Sequence, residues 1–236
     1  GRLFYIGAGS SGRLGVLEAA ECPPTYNVPP ELVQGLMAGG ERALARATEA
    51  SEDDPALGVR DLEARNFTGA DVLVGIAASG RTPYVLGAIA HARRMGAVTI
   101  GISCTPASEL SRAVEFPIEP LAGPEVIAGS TRMKAGTATK LVLNMISTAT
   151  MIRLGHVYGN LMVNVQPRNV KLRERAVRIV AEAADVPPER AEECLNASDG
   201  KVKVAILMAR LGLAVVDAER RLRAAGGRVS EALKHG

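Results

Sequence analysis

Short apolar runs and longer amphipathic stretches alternate along the first half of the chain. Leu3–Ala8, Leu32–Met37, Asp71–Ala77, Val98–Ser103 and Val114–Ile118 are bounded by polar or turn residues and read as buried strands. Between them, Ser11–Glu21, Glu41–Glu49, Ala56–Arg65, Pro83–Met95 and the short Ser108–Ala113 carry helix-like patterns. Strands alternating with helices predict parallel βαβ units with right-handed crossovers. The expected architecture is therefore α/β, a doubly wound five-stranded parallel sheet. Pro23-Pro24 is expected to end the first helix, because the residue before a proline is pushed out of the α region.

The pattern changes in the second half. Met133–Leu154 carries no charge between Lys140 and Arg153, and its apolar positions run nearly all the way round. That predicts a helix buried on several sides, as a core element, a subunit interface, or both. Beyond Gly159, Asn169–Ala184, Pro188–Asn196, Lys201–Leu211 and Ala214–Ala225 are predicted helices with short polar joints. Val186-Pro187-Pro188-Glu189 is expected to open a compact three-helix, UBA-like tail. This divides the chain into a domain of residues 1–184 and a helical module of residues 185–236.

Three loops share one composition of glycine, hydroxyls and basic residues: Gly7–Arg13, Ala78–Thr82 and Gly129–Lys134. The first two follow strands, and all three precede helices. Glycine allows close backbone approach, amides at a helix start face an anion, and hydroxyls add donors. Three such loops point to a pocket for a phosphorylated small molecule. Gly7-x-Gly9-x-x-Gly12 also fits the dinucleotide fingerprint, but that fingerprint needs an acid at the end of the second strand. The nearest, Glu41, lies beyond Gly39-Gly40, and the other two loops would have no task. Arg13, Arg81, Arg132 and Lys134 are available to neutralise a phosphate, or simply to sit in solvent.

Composition narrows the class. The chain has 236 residues, 47% apolar and 3% aromatic, with a formal charge of +3. No Lys/Arg stripe is interleaved with aromatics, so no nucleic-acid partner is expected. Cys22, Cys104 and Cys194 are far apart, as are His91, His156 and His235. Neither a disulfide framework nor a metal site is indicated, and a reducing cytoplasm fits best. No apolar run approaches the ~20 residues of a membrane span, so no membrane partner is expected, and no signal peptide is visible. The sequence starts without Met and enters a strand at its third residue, so the native N-terminus is expected further upstream.

Four segments together carry a family resemblance: Gly7–Arg13, Ala20-Glu21-Cys22-Pro23-Pro24-Thr25-Tyr26, Gly75–Tyr84 and Pro124–Lys140. The chain closely resembles the N-acetylmuramic acid 6-phosphate etherases, which carry a sugar isomerase (SIS) domain. Generic SIS isomerases share the Ser/Thr loops but lack the Glu-Cys-Pro-Pro-Thr-Tyr segment and the Ser-Thr-Arg-Met-Lys-Ala-Gly-Thr run. The resemblance implies cleavage of the D-lactyl ether of the sugar phosphate to N-acetylglucosamine 6-phosphate and D-lactate. It further implies peptidoglycan recycling in the cytoplasm by a homodimer, with no metal and no cofactor. Two departures stand out. Family members usually carry a largely helical segment before the first strand, and Ser10 stands where Thr is common.

An ether resists direct attack near neutral pH. Opening the sugar ring makes the hydrogen on carbon 2 acidic, so a base removes it, an acid assists loss of lactate from carbon 3, and water adds back. This requires two groups of opposite protonation state, which two carboxyls in different environments supply. The resemblance places them at Glu21 and Glu52. A helix C-terminus cut by Pro23, with burial beside Pro24 and Tyr26, would make Glu21 a proton donor. Glu49, Asp53 and Asp54 are alternatives to Glu52. Expected substrate-binding residues are Ser10, Ser11, Arg13, Ser79, Gly80, Arg81, Thr82, Ser130, Thr131 and Lys134. An aldose–ketose isomerase and a non-catalytic sugar-phosphate sensor are the alternative readings. Glu21 lies ~15 Å along its helix from the first loop, so either that helix ends early or Glu21 serves a neighbouring subunit.

Overall fold

The computed structural model describes residues 1–46, 51–167 and 169–234. Residues 47–49 of the expected Glu41–Glu49 helix, Glu49 among them, and His235 lie outside these. Five strands, β1 (Leu3–Gly7), β2 (Val33–Met37), β3 (Val72–Ile76), β4 (Val98–Ile102) and β5 (Phe116–Ile118), form one sheet in the order β2-β1-β3-β4-β5. Every pairing is parallel. Phe4, Ile6, Leu73 and Ala77 join Leu62, Tyr84, Val85, Ala88 and Ile89 in one core cluster, and the alternate residues Tyr5, Val74 and Ile76 are buried too, the two-sided burial that parallel strands need. The five-stranded parallel α/β architecture expected from the alternating pattern is thus present.

Helices α1 (Gly9–Tyr26), α2 (Arg42–Ala45), α3 (Pro55–Ala64), α4 (Pro83–Arg94), α5 (Glu109–Ala113) and α6 (Lys134–Arg153) connect or follow the strands. The first corrects the sequence reading. It does not stop before Pro23-Pro24 but carries both prolines inside it. Each proline gives up one helical hydrogen bond, yet the last turn closes with Asn27 N–H donating to Pro23 O at 2.9 Å. The buried Tyr26 hydroxyl also meets Thr148 Oγ1 at 3.2 Å. Asn27, in the left-handed region at φ 52°, ends the helix instead.

The chain divides into two compact units, Gly1–Glu21 with Pro29–Ile146, and Cys22–Val28 with Ser147–Gly236. The second contains α7 (Val170–Ala184), α8 (Pro188–Ala197), α9 (Val202–Leu211), α10 (Val215–Ala224) and α11 (Val229–Lys234). Four helices, not three, therefore follow Asp185 among the described residues. The six-residue α11 is too short to show helical periodicity in the sequence. Ala176, Ile179, Val180 and Ala183 of α7 share one core with α8 and α9. The boundary expected at residues 184/185 accordingly falls inside this unit, between α7 and α8.

Candidate functional site

In this strand order, β1 connects outward to β2 while β3 connects the other way to β4. The crevice beyond the carboxyl ends of β1 and β3 is where open α/β sheets place ligands. The first two loops leave these two strands, and the register pairs Gly7 with Ile76. At the first, α1 begins at Gly9, so Ser10 and Ser11 fall in its opening turn, half-buried. At the second, Ser79 and Arg81 are exposed, and Thr82 precedes Pro83 at the start of α4. Gly80 is buried with φ +67°, and a β-carbon there would lie 2.2 Å from Ser108 Oγ. The loop therefore tolerates only glycine at its turn.

Glu52 comes to the first loop from a distant part of the sequence. A β-carbon built on Gly9 would lie 3.3 Å from Glu52 Oε1. Tyr84 N–H, in the first turn of α4, donates to Glu52 O at 3.0 Å. The Tyr84 phenol donates to Asp61 Oδ2 on α3 at 2.5 Å; burial and this bond push the phenol well above the usual tyrosine range. Asp54 accepts from Ala56 N–H at 2.8 Å, with Pro55 opening the helix. A capped helix start thus follows Glu52 directly, and α3 and α4 together fix its backbone. Of the acids near Pro55, Asp54 is the cap, Asp53 is exposed, and Glu52 is the one turned to a phosphate-type loop.

The third loop differs from its expected form. Glu125 accepts from the backbone N–H groups of Lys134 and Ala135, each at 3.1 Å. These are first-turn amides of α6, the donors that a phosphate loop would offer an anion. A carboxylate of the chain already holds these two amides, so they are not offered to a ligand. Thr131 and Lys134 are exposed, and Ser130 Oγ accepts from Arg132 Nε at 3.3 Å. The start of α6 is tied to the end of β4, where Cys104 Sγ lies 3.8 Å from Ala135 O and 3.9 Å from Thr139 Oγ1. Burial pushes the Cys104 thiol up; Thr139 opposes this, and the charge of Glu125 adds to it. Cys104 N–H in turn donates to Ala78 O of the second loop at 3.0 Å.

Two expected residues stand elsewhere. Arg13 donates from Nε to Leu44 O at 2.9 Å and from a terminal nitrogen to Ala43 O at 2.7 Å. Its guanidinium thus serves the carbonyls at the end of α2 rather than a phosphate. Glu21 is exposed inside a continuing helix, without the burial beside Pro24 and Tyr26, or the helix terminus, that its sequence suggested. One turn before it, Glu18 is buried and accepts from Asn144 Nδ2 of α6. Neither Glu18 nor Glu125 stood out in the sequence, because their partners lie on α6 and no local spacing links them. Among the described residues, no group of three His, Cys, Asp or Glu is arranged to hold a metal ion.

The chain is similar to several known proteins. A model of the glucokinase regulatory protein N-terminal SIS domain matches residues 1–93. An N-acetylmuramic acid 6-phosphate etherase of Aeromonas hydrophila subsp. hydrophila is 55% identical over 98% of this chain and 78% of its own length. One from Clostridium acetobutylicum is 55% identical over 100% of this chain and 78% of its own. Among solved structures, a protein of E. coli CFT073, solved as a complex, matches with a TM-score of 0.51 at 17% identity, over 68% of this chain and 74% of that one. That last likeness is one of fold. With identity above half over nearly its whole length, the chain belongs to the N-acetylmuramic acid 6-phosphate etherase family.

Proposed function

We infer that the chain is a carbon–oxygen lyase acting on N-acetylmuramic acid 6-phosphate. It removes the D-lactyl ether by elimination followed by hydration and releases N-acetylglucosamine 6-phosphate and D-lactate, as part of amino-sugar recycling. The observation that carries this reading is the approach of the Glu52 carboxylate to the Gly9 turn, at the sheet's crevice, in a chain of this family. Ser10, Ser11, Ser79, Thr82, Ser130 and Thr131 supply donors to the phosphate and sugar, with Arg81 and Lys134 as the cations, while Gly80, whose N–H donates to Ala77 O at 2.8 Å, shapes the second loop. Glu52, beside the first loop, takes the carbon 2 proton. Glu21 delivers a proton to the leaving oxygen.

Glu21 acts in the partner subunit's site of a homodimer. Supporting this, α1 continues as a helix to Tyr26, so Glu21 stays ~15 Å along it from the first loop. Leu141, Met145 and Ile152 are 55%, 61% and 50% exposed and share one face of α6 by helical spacing, a stripe suited to a second copy. No helix of the described residues is long and apolar enough to cross a membrane. None of the three cysteines is in a disulfide, which suits the cytoplasm, and the proposed chemistry calls for no nucleic acid. Incubation with N-acetylmuramic acid 6-phosphate and assay for D-lactate tests the function: stoichiometric release is expected, and recovery of intact substrate overturns it.

A further inference from the structure

We propose that Glu125 is the positioning residue of the third substrate loop. The connection from β5 to α6, residues 119–133, is exposed along much of its length, with Leu121, Val126, Ile127 and Met133 at 70%, 70%, 62% and 56%. It has no strand or helix of its own to fix Ser130 and Thr131. Glu119 tethers its beginning by accepting from Ala107 N–H at 2.8 Å. Glu125 tethers the part that carries the hydroxyls, through paired 3.1 Å bonds from Lys134 and Ala135. Residues 125–134 thereby close into a ring whose two ends are one carboxylate and the first turn of α6. Bonds from backbone N–H to a carboxylate are charge-assisted, and the positive end of a 20-residue helix reinforces them.

The second side of the argument is where this ring sits. Glu125 is close enough to Cys104, at the end of β4, for its charge to act on that thiol. Cys104 bonds to the first turns of α6 through its sulfur and to Ala78 through its backbone. The ring and the Ser79 loop therefore share one anchor at the carboxyl edge of the sheet. Glu125 sets Ser130 and Thr131 against that edge, and by saturating two helix amides it leaves hydroxyls and the Lys134 ammonium to contact substrate. This rests on the proposed role of Ser130 and Thr131 in substrate binding.

The test compares Glu125→Ala and Glu125→Gln with the parent, using titration of N-acetylglucosamine 6-phosphate and steady-state lactate release. Loss of the tether in Glu125→Ala is expected to raise KM and the product's Kd about tenfold, the scale of one lost charge-assisted bond, with kcat changed less. Glu125→Gln keeps one acceptor oxygen and is expected to recover most of that loss. Tighter binding by both variants would show the carboxylate to be a competitor of the ligand and overturn the proposal. A lowered Tm with unchanged KM and Kd would overturn it too, by reducing Glu125 to a helix cap. Ser130→Ala serves as reference: if it also leaves binding unchanged while the parent releases lactate, the loop's assignment fails along with the tether, but the function stands. If the parent releases no lactate, the function itself has failed.

Discussion

Glu52 and Gly9 are neighbours across the first loop: the space a β-carbon would take at Gly9 ends 3.3 Å from Glu52 Oε1. Gly9 also has φ +54°, so a side chain there is disfavoured by backbone and by carboxylate alike. Gly9→Ala is expected to cost about 1–2 kcal/mol of stability from the left-handed backbone, seen in chemical unfolding. It should also lower lactate release by more than the folded fraction explains. Unchanged turnover would separate Glu52 from this loop.

Ser79→Ala removes a hydroxyl from an exposed turn, so the fold should not notice. Affinity for N-acetylglucosamine 6-phosphate is expected to weaken by about 1–3 kcal/mol in calorimetry, since a phosphate oxygen loses a donor. Equal affinity would remove the second loop from the phosphate site.

Arg13→Ala should behave in the opposite way. Its guanidinium bonds to Ala43 O and Leu44 O, and loss of two charge-assisted bonds should destabilise by about 1–3 kcal/mol. Sugar-phosphate affinity of the folded protein is expected to stay within about twofold; a large loss in affinity with unchanged stability would restore Arg13 to the binding set.

Glu21→Gln and Glu52→Gln separate acid from base. Both should lose lactate release while keeping phosphate binding. Exchange of the carbon 2 hydrogen with solvent, followed by NMR on bound substrate, is expected to persist in Glu21→Gln and vanish in Glu52→Gln. Loss of exchange in Glu21→Gln would assign both proton transfers to Glu21, and parental lactate release by that variant would remove it from the mechanism.

Asp71 links pH to stability. Burial opposes its charge, but the Arg2 guanidinium and the Thr68 and Arg2 backbone N–H groups outweigh it and hold the carboxyl at about 2, below an ordinary 3.8. The folded value is the lower one, so the stabilisation is complete above about pH 4 and is lost as pH falls toward 2. Asp71→Asn is expected to cost about 2 kcal/mol at pH 7, from ~1.4 kcal/mol per pKa unit, and to flatten the acid limb of the stability curve between those values. An unchanged acid limb would contradict the assignment.

The strands and the first two loops were legible because each is local: an apolar run, then glycine and hydroxyls, then a helix start. Pro23-Pro24 misled because the helix carries on through two lost bonds, with a buried Tyr26 and the Asn27 stop beyond them, and local propensity yields to such context. The Arg13 contacts lie 30 and 31 residues away, and no spacing rule reveals them. Glu125 stood inside a recognisable motif, yet its task became visible only when the start of α6 was placed beside it. Glu52 was read from its family position, since four acids crowd that stretch of sequence. Its selection over Asp54 needed the helix cap to be seen.

The placement of β1 between β2 and β3 has a consequence for how the protein is born. Leu3 pairs with Val72, 69 residues further on, so β1 gains this second neighbour only after β2 and the helices between have been made. Closing so long a loop is a cost met before any contact repays it. Until β3 docks, the Gly7–Gly9 turn has a wall on one side only, and the donors of the first loop face nothing that resembles a binding crevice. A chain that ends before β3 therefore keeps Ser10, Ser11 and Glu52 in sequence but lacks the strand that forms the other wall of the crevice.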